Sequence, residues 1–274
     1  MGKLVTFWSP FIGQAKVTSS MCAIVAAFAM QYPELEIALS HTQPESIELE
    51  ERLDCRIGFT GKRELYEKTG LSALVLQYMQ VGLTSERIRR CAIPLFMKSL
   101  YLFSGIGKKE AFNQIQYSIL TEKIVQEFDI TFLDLTSGEK EESFQFMKMA
   151  DVVVVVLPQK PSCLEKFSKQ YIEKLEGKEV CIVIGGYVGI SKYNETYFKR
   201  KKEYRTKWKW LGTVPMNIGF MDAMIEGRTL EFFLKNELIG KKEKNYEFME
   251  QTKRTAEQLN KYLKGEKRKN LFVF

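Results

Sequence analysis

Two apolar runs constrain this chain more than any other feature. "DVVVVVLP" (Asp151–Pro158) and "EVCIVIGG" (Glu179–Gly186) show no alternation of apolar and polar residues. A strand with one wet face alternates, whereas a continuous run is buried on both faces, as at the centre of a parallel sheet. Five further short runs read as strands: Leu4–Trp8, Glu36–Leu39, Leu100–Phe103, Ile130–Leu133 and Trp210–Val214. Helical patterns lie between many of them, at Ser19–Gln31, Thr84–Met97, Lys109–Glu127, Ser162–Leu175 and Tyr246–Leu263. "TSER" at Thr84 reads as a capping box. Strand and helix in alternation predict a doubly wound α/β fold with a mostly parallel sheet of about seven strands, helices on both faces. No repeat and no low-complexity linker interrupts the chain. The expectation is one domain over residues 1–260 and a basic, apolar tail over 261–274.

Composition narrows the function classes. Hydrophobic residues make up 45% and charged residues 27%, as in a soluble globular protein. The longest apolar stretches, Met21–Met30 and Val152–Leu157, are too short to span a bilayer as a helix. The run from Leu4 reads as a strand rather than a signal peptide. Five cysteines (Cys22, Cys55, Cys91, Cys163, Cys181) without CxxC spacing read as reduced thiols, which fits a cytoplasmic protein. A single histidine, His41, argues against a His-based zinc site or a Ser-His-Asp hydrolase; it reads as a loop residue after the second strand.

The loop after the first strand, "SPFIGQAKVTSSM" (Ser9–Met21), crowds Gly, Lys, Thr and Ser ahead of a helix. In open α/β sheets ligands bind beyond the carboxyl ends of the strands, where a helix N-terminus offers free N–H groups. The loop has no strict GxxxxGK[ST] match. Against the deviant pattern KGGxGK[ST][ST], two registers are available. One puts Lys16 on the phosphate-binding lysine, Gly13 on the second glycine and Val17 on the Mg²⁺ position. The other aligns "IGQAKVTS" with "KGGxGKTS", so Gly13 is the first glycine, Thr18 and Ser19 are the hydroxyl pair, and Val17 replaces the lysine. The second is preferred because it keeps the Thr-Ser pair that opens the helix. The alternative is that Thr18 or Ser19 simply caps a helix.

Five segments in order resemble the ParA/MinD branch of P-loop ATPases over nearly the whole chain. "SLYLFSG" (Ser99–Gly105) is similar to that family's "nLyvlpg" strand, and "FDITFLDLTSG" (Phe128–Gly138) to "yDyiiiDtppg". "ADVVVVVLPQKPSCLEKF" (Ala150–Phe167), "KWLGTVPMN" (Lys209–Asn217) and "FMDAMIEGRTL" (Phe220–Leu230) resemble the segments that follow. The segment Tyr66–Gly105 resembles the TadZ/CpaE-like pilus-assembly subgroup, which implies two helices and then a strand. The resemblance implies ATP and Mg²⁺ as cofactors, with Gly13, Gln14, Lys16, Thr18 and Ser19 at the phosphates and Asn217 near the base. It also implies Thr18 and Asp134 at the metal, Asp134 as the catalytic acid, and a homodimer serving a larger assembly. Without the resemblance, Asp134 reads equally as a strand-end acid capping the next turn.

The departures from that pattern concern chemistry. Phe11 or Ile12 stands where the family's signature lysine would be. Ser40 and Thr42 replace the switch acids after strand two, although Gln43 survives. Gly185–Gly186–Tyr187 replace a base-contacting Asn. Phosphoryl transfer depends on positioning and charge stabilisation, and each lost stabiliser costs roughly 10²–10³ in rate. The expectation is a nucleotide-binding protein with weak or no ATP hydrolysis, serving a pilus or secretion machine or a similar assembly. The rival is a structural pseudo-ATPase in which Phe11, Ile12 and Val17 fill the old phosphate pocket.

Net charge is +7 and unevenly placed. Residues 192–209 hold eight Lys/Arg against two Glu, and residues 241–270 ten against five, leaving the rest slightly acidic. The aromatics among the cations of Tyr197–Trp210 suit nonspecific DNA, which is a third option, or else a solvated face. Residues 260–274 place Lys267, Arg268 and Lys269 before "LFVF". That arrangement suits an anionic membrane surface at the inner face of the membrane, or else Leu271–Phe274 tuck into the protein's own core or a dimer seam.

Overall fold

Strand β6 (Val152–Pro158) is buried along its apolar length, and its parity sorts the two layers that cover the sheet. Val152, Val154 and Val156 meet helix α1 (Val17–Gln31) and its neighbours, while Val153, Val155 and Leu157 enter a second cluster on the opposite face. Both continuous apolar runs are therefore double-sided core strands. The computed structural model describes residues 2–43, 48–53, 69–95, 97, 99–105, 114–200 and 208–265.

Among the described residues one sheet contains eight strands, in the order β3-β4-β2-β5-β1-β6-β7-β8. They are β1 (Lys3–Trp8), β2 (Ile37–His41), β3 (Ile93–Pro94), β4 (Leu100–Leu102), β5 (Ile130–Asp134), β6, β7 (Glu179–Tyr187) and β8 (Lys209–Pro215). All pair in parallel except the β3–β4 edge. The seven expected strands are present. The eighth, β3, is two residues long with a proline, which suits an edge and leaves almost no periodicity to read.

The helix expected over Thr84–Met97 is shorter, Ser85–Cys91, because the chain turns into β3. The expected capping box is half made. Thr84 Oγ1 accepts from the Arg87 N–H, but Glu86 stands one residue too early to reciprocate and instead pairs with Arg90. The helix expected from Lys109 is described from Gln114 to Glu127, with 109–113 outside the described residues. The Ser162–Leu175 pattern resolves into an α-helix, Pro161–Gln170, and a 3₁₀ turn, Ile172–Leu175. Before β4, the helices Gly70–Val81 and Ser85–Cys91 form a helix pair.

The C-terminal helix, Tyr246–Leu263, packs against β8 and α1 through Phe248, Met249, Thr252, Thr255, Ala256 and Leu259, an i, i+3/i+4 stripe. Lys267–Lys269 and Leu271–Phe274 lie outside the described residues, as do Cys55 and residues 201–207.

Beneath α1, Phe132 of β5 joins Phe7 and Phe28 in an aromatic cluster, with ring centroids 6.1 and 5.7 Å away. Phe132 is fully buried at the centre of the sheet. Phe132→Ala is expected to cost about 3–5 kcal/mol of unfolding free energy in urea, with an unchanged m-value.

Candidate functional site

Strands β1 and β5 lie side by side, and their carboxyl ends carry the loop and the acid singled out above. The two following loops are pinned together. The buried Trp8 Nε1–H donates to the Gly138 carbonyl (3.0 Å), and the Gly138 N–H to the Ser9 carbonyl (2.8 Å). Phe11 to Gln14 then make a turn closed by the Gln14 N–H on the Phe11 carbonyl, with Gly13 at φ +71° in its third position, where a type II turn needs glycine. Ala15 is buried with its carbonyl against β7. A Cβ on Gly185 would lie 2.3 Å from that oxygen, so Gly185–Gly186 admit the loop.

Helix α1 starts at Val17 and has no side-chain cap and no acid in its first turn. Thr18 and Ser19 lie inside that turn, so neither is the expected cap. The first N–H groups of a helix have no intrahelical acceptor and here edge an open cleft of about 980 Å³. From inside the turn, Thr18 Oγ1 donates to Asp134 Oδ2 at 2.5 Å, and Gln43 Nε2 donates to the same oxygen at 3.2 Å. Asp134 Oδ1 is buried with no partner. Asp134 thus ties strand to helix and does not cap its own turn. Its burial pushes its pKa from 3.8 up to about 6, against the opposing pull of the Thr18 hydrogen bond and the charges of His41 and Arg52.

No family model matches the sequence, and no curated protein matches it. The fold has close structural counterparts. The ParA family ATPase of Chlorobium tepidum TLS superposes with a TM-score of 0.68 at 12% identity, covering 94% of this chain and 99% of that one. The MinD cell division protein of Aquifex aeolicus gives 0.64 at 13%, covering 94% and 97%. MinD of Pyrococcus horikoshii OT3, complexed with Mg-ADP, gives 0.60 at 13%, covering 98% and 100%. This chain has the ParA/MinD ATPase fold.

Against the phosphate loop of the ParA/MinD pattern, local geometry favours the second register. Lys16 is the one described non-glycine residue with positive φ (55°), a conformation glycine adopts freely. In that register Lys16 falls on the glycine before the phosphate-binding lysine. Thr18 falls on the hydroxyl that faces the strand-end acid, as its bond to Asp134 requires. Val17, on the lysine's position, is buried in the core beneath α1 and carries no charge. Lys16 is exposed, with its stem within 3.0 Å of where a Gly186 Cβ would be.

The remaining ParA/MinD positions have structural partners. Asn217 lines the cleft, but its Oδ1 accepts from the Phe220 N–H (2.8 Å) and its Nδ2 donates to Asn245 (3.1 Å). Ser40 donates to the Phe103 carbonyl, and Thr42 Oγ1 accepts from the Thr136 N–H. His41 is not a loop residue. It ends β2 and is buried, with Nε2 3.0 Å from Glu50 Oε1. Burial works against the imidazolium, but Glu50's hydrogen bond and charge, together with the charge of Asp134 and the backbone at Gln43, outweigh it, and the His41 pKa lies above its ordinary value. Phe11, Ile12 and Val17 all line the cleft, which stays open at about 980 Å³: Val17 is mostly buried in the core, Phe11 is half-buried within cation–π reach of Lys166, and Ile12 is exposed.

Sequence reasoning missed Arg52. It lies on helix α2 (Glu48–Leu53), which Leu49 and Leu53 anchor in the core. Its Nη1 donates to Ser19 Oγ at 2.7 Å, and its Nη2 pairs with Glu48 at 2.8 Å. No short motif marks it; only the fold brings it to α1. In the basic stretch, Phe198, Trp208 and Trp210 are buried, with Trp208 bonded to Ser168 and Trp210 to Glu195. These three rings offer no face for stacking on bases.

These residues suit a magnesium nucleotide. Mg²⁺ is commonly held by one or two protein ligands plus phosphate oxygens. Asp134, with an unpartnered buried oxygen, and the Thr18 hydroxyl match that donor set. The raised Asp134 pKa also has a consequence for stability. The stabilisation it represents is full below the unfolded value near 4 and is lost as pH rises through about 6. Asp134→Asn, unfolded in urea without nucleotide, is expected to exceed the wild type by on the order of 2–3 kcal/mol at pH 7.5 and to come close to it at pH 4.

Proposed function

We propose that this chain is a nucleotide-binding protein of ParA/MinD type, with weak or absent ATP hydrolysis, that positions or organises a larger cellular assembly. One observation carries the reading: the uncapped first turn of α1 opens on a cleft, and Thr18 within it touches a buried strand-end carboxylate. In this reading Gly13, Gln14, Lys16, Thr18 and Ser19 contact the phosphates, Asn217 lies toward the base, and Asp134 with Thr18 takes Mg²⁺. Bound magnesium would neutralise phosphate charge; the chain's own residues bind and orient. Weak hydrolysis follows from Val17 in place of a lysine, from Phe11 and Ile12 in place of another, and from Ser40 and Thr42, whose hydroxyls bond within the fold.

The role in an assembly rests on the kinship of fold. The ParA/MinD-fold structures include cell division and plasmid partition proteins, and the MinD of Aquifex aeolicus is found in a MinC:MinD complex. A homodimer, a protein partner and a pilus or secretion machine belong to the same proposal, the last supported by the resemblance of Tyr66–Gly105 to TadZ/CpaE-like proteins. The basic sequence over 260–274 supports peripheral attachment at the inner face of the membrane. A second reading, a pseudo-ATPase that binds no nucleotide, is favoured by Val17 alone.

Thermal unfolding with Mg-ADP and Mg-ATP separates the two. Ligand at about a hundred times its Kd adds about 2.7 kcal/mol, which for a chain of this size raises the melting point by roughly 5 °C or more. That rise, with phosphate release close to background, is expected. An unchanged melting point in saturating Mg-nucleotide would leave the second reading standing.

A further inference from the structure

We infer that Arg52 supplies a phosphate-binding cation in place of the one missing where Val17 stands, beside Lys16 of the loop. This rests on the nucleotide-binding reading above and deepens it. The position that would carry the loop lysine holds buried Val17, and Lys16 leans toward Gly186 at the β7 side of the loop. Arg52 reaches the same helix end from elsewhere in the chain. Its guanidinium lines the cleft and meets the first turn of α1 through Ser19 Oγ at 2.7 Å.

Its position is fixed from three directions. Leu49 and Leu53 bury one face of α2 in the core. Buried Glu50, on the same helix, holds His41 at 3.0 Å and accepts from the Gly105 N–H at 2.9 Å. Thr229 Oγ1 donates to the Arg52 carbonyl at 2.6 Å. A six-residue helix held this firmly presents a planar fork whose geometry matches phosphate oxygens in pairs. The side chain is only part-buried, so an anion can approach it. Glu48, paired with Nη2 at 2.8 Å, is the group an incoming phosphate displaces. The ligand class is a nucleoside di- or triphosphate held by Arg52, with the unpartnered Asp134 oxygen at the metal side of the same turn.

The test is equilibrium binding of a fluorescent ADP analogue to the full chain, with and without Mg²⁺. It compares wild type, Arg52→Ala, Lys16→Ala and Glu48→Gln, each first checked for an unliganded melting point. Loss of a charge-assisted contact predicts roughly ten- to hundredfold weaker binding for Arg52→Ala. Lys16→Ala is expected to lose less, and Glu48→Gln to bind several-fold tighter because the competing carboxylate is gone. That gain is expected to vanish in the Arg52→Ala/Glu48→Gln double variant. If wild type binds and Arg52→Ala binds equally well, the inference is overturned and the nucleotide reading survives. If wild type binds nothing, both fall. Should Arg52→Ala not fold, Glu48→Gln decides: binding no tighter than wild type overturns the inference.

Discussion

A carboxyl group with no exposed surface holds the mouth of this sheet together. Asp134 ends the strand beside β1, and its Oδ2 receives the Thr18 hydroxyl and the Gln43 amide. Through Thr18 it fixes where α1 begins; through Gln43 it fixes where the chain leaves β2. Its other oxygen stays buried and unpartnered, an arrangement that costs free energy unless the site has a use for it. Burial without a full set of partners also lifts its pKa toward neutrality.

The loop that Asp134 faces is set by backbone constraints at a few positions. Gly13 turns the chain, and Gly185 admits the Ala15 carbonyl at close range. Lys16 occupies a left-handed conformation that costs a non-glycine residue on the order of 1 kcal/mol, retained because loop and helix start demand it. Val17 brings no charge to the loop, while Lys16 and the Arg52 of α2 both line the cleft. Hydrolysis, which needs several stabilisers at once, suffers more from a missing charge than binding does.

Burial on both faces made the central strands legible. "DVVVVVLP" and "EVCIVIGG" read as parallel core strands because nothing else in a chain of this kind tolerates such runs, and β6 and β7 occupy those places. Tyr246–Leu263 was legible from its amphipathic stripe and begins and ends as expected. Short elements were not legible: β3 has two residues, and α2 has six with four charged. Nor was the loop register, because Lys16 and Val17 exchange roles only when backbone φ is known. His41–Glu50 and Arg52–Ser19 were out of reach for another reason. Each joins residues from separate elements, and neither residue of a pair carries a signal of its own. In Tyr197–Trp210 the spacing of aromatics among cations does not tell which rings face inward; Phe198, Trp208 and Trp210 are buried.

In the proposed function, the first turn of α1 and the residues around Asp134 form one mouth that holds a magnesium nucleotide. Hydrogen–deuterium exchange with and without Mg-ADP addresses it at peptide resolution. Slower exchange is expected over residues 13–20 and 48–53, with little change in the C-terminal helix. Nucleotide-dependent protection confined to other segments, with residues 13–20 exchanging as before, would contradict it.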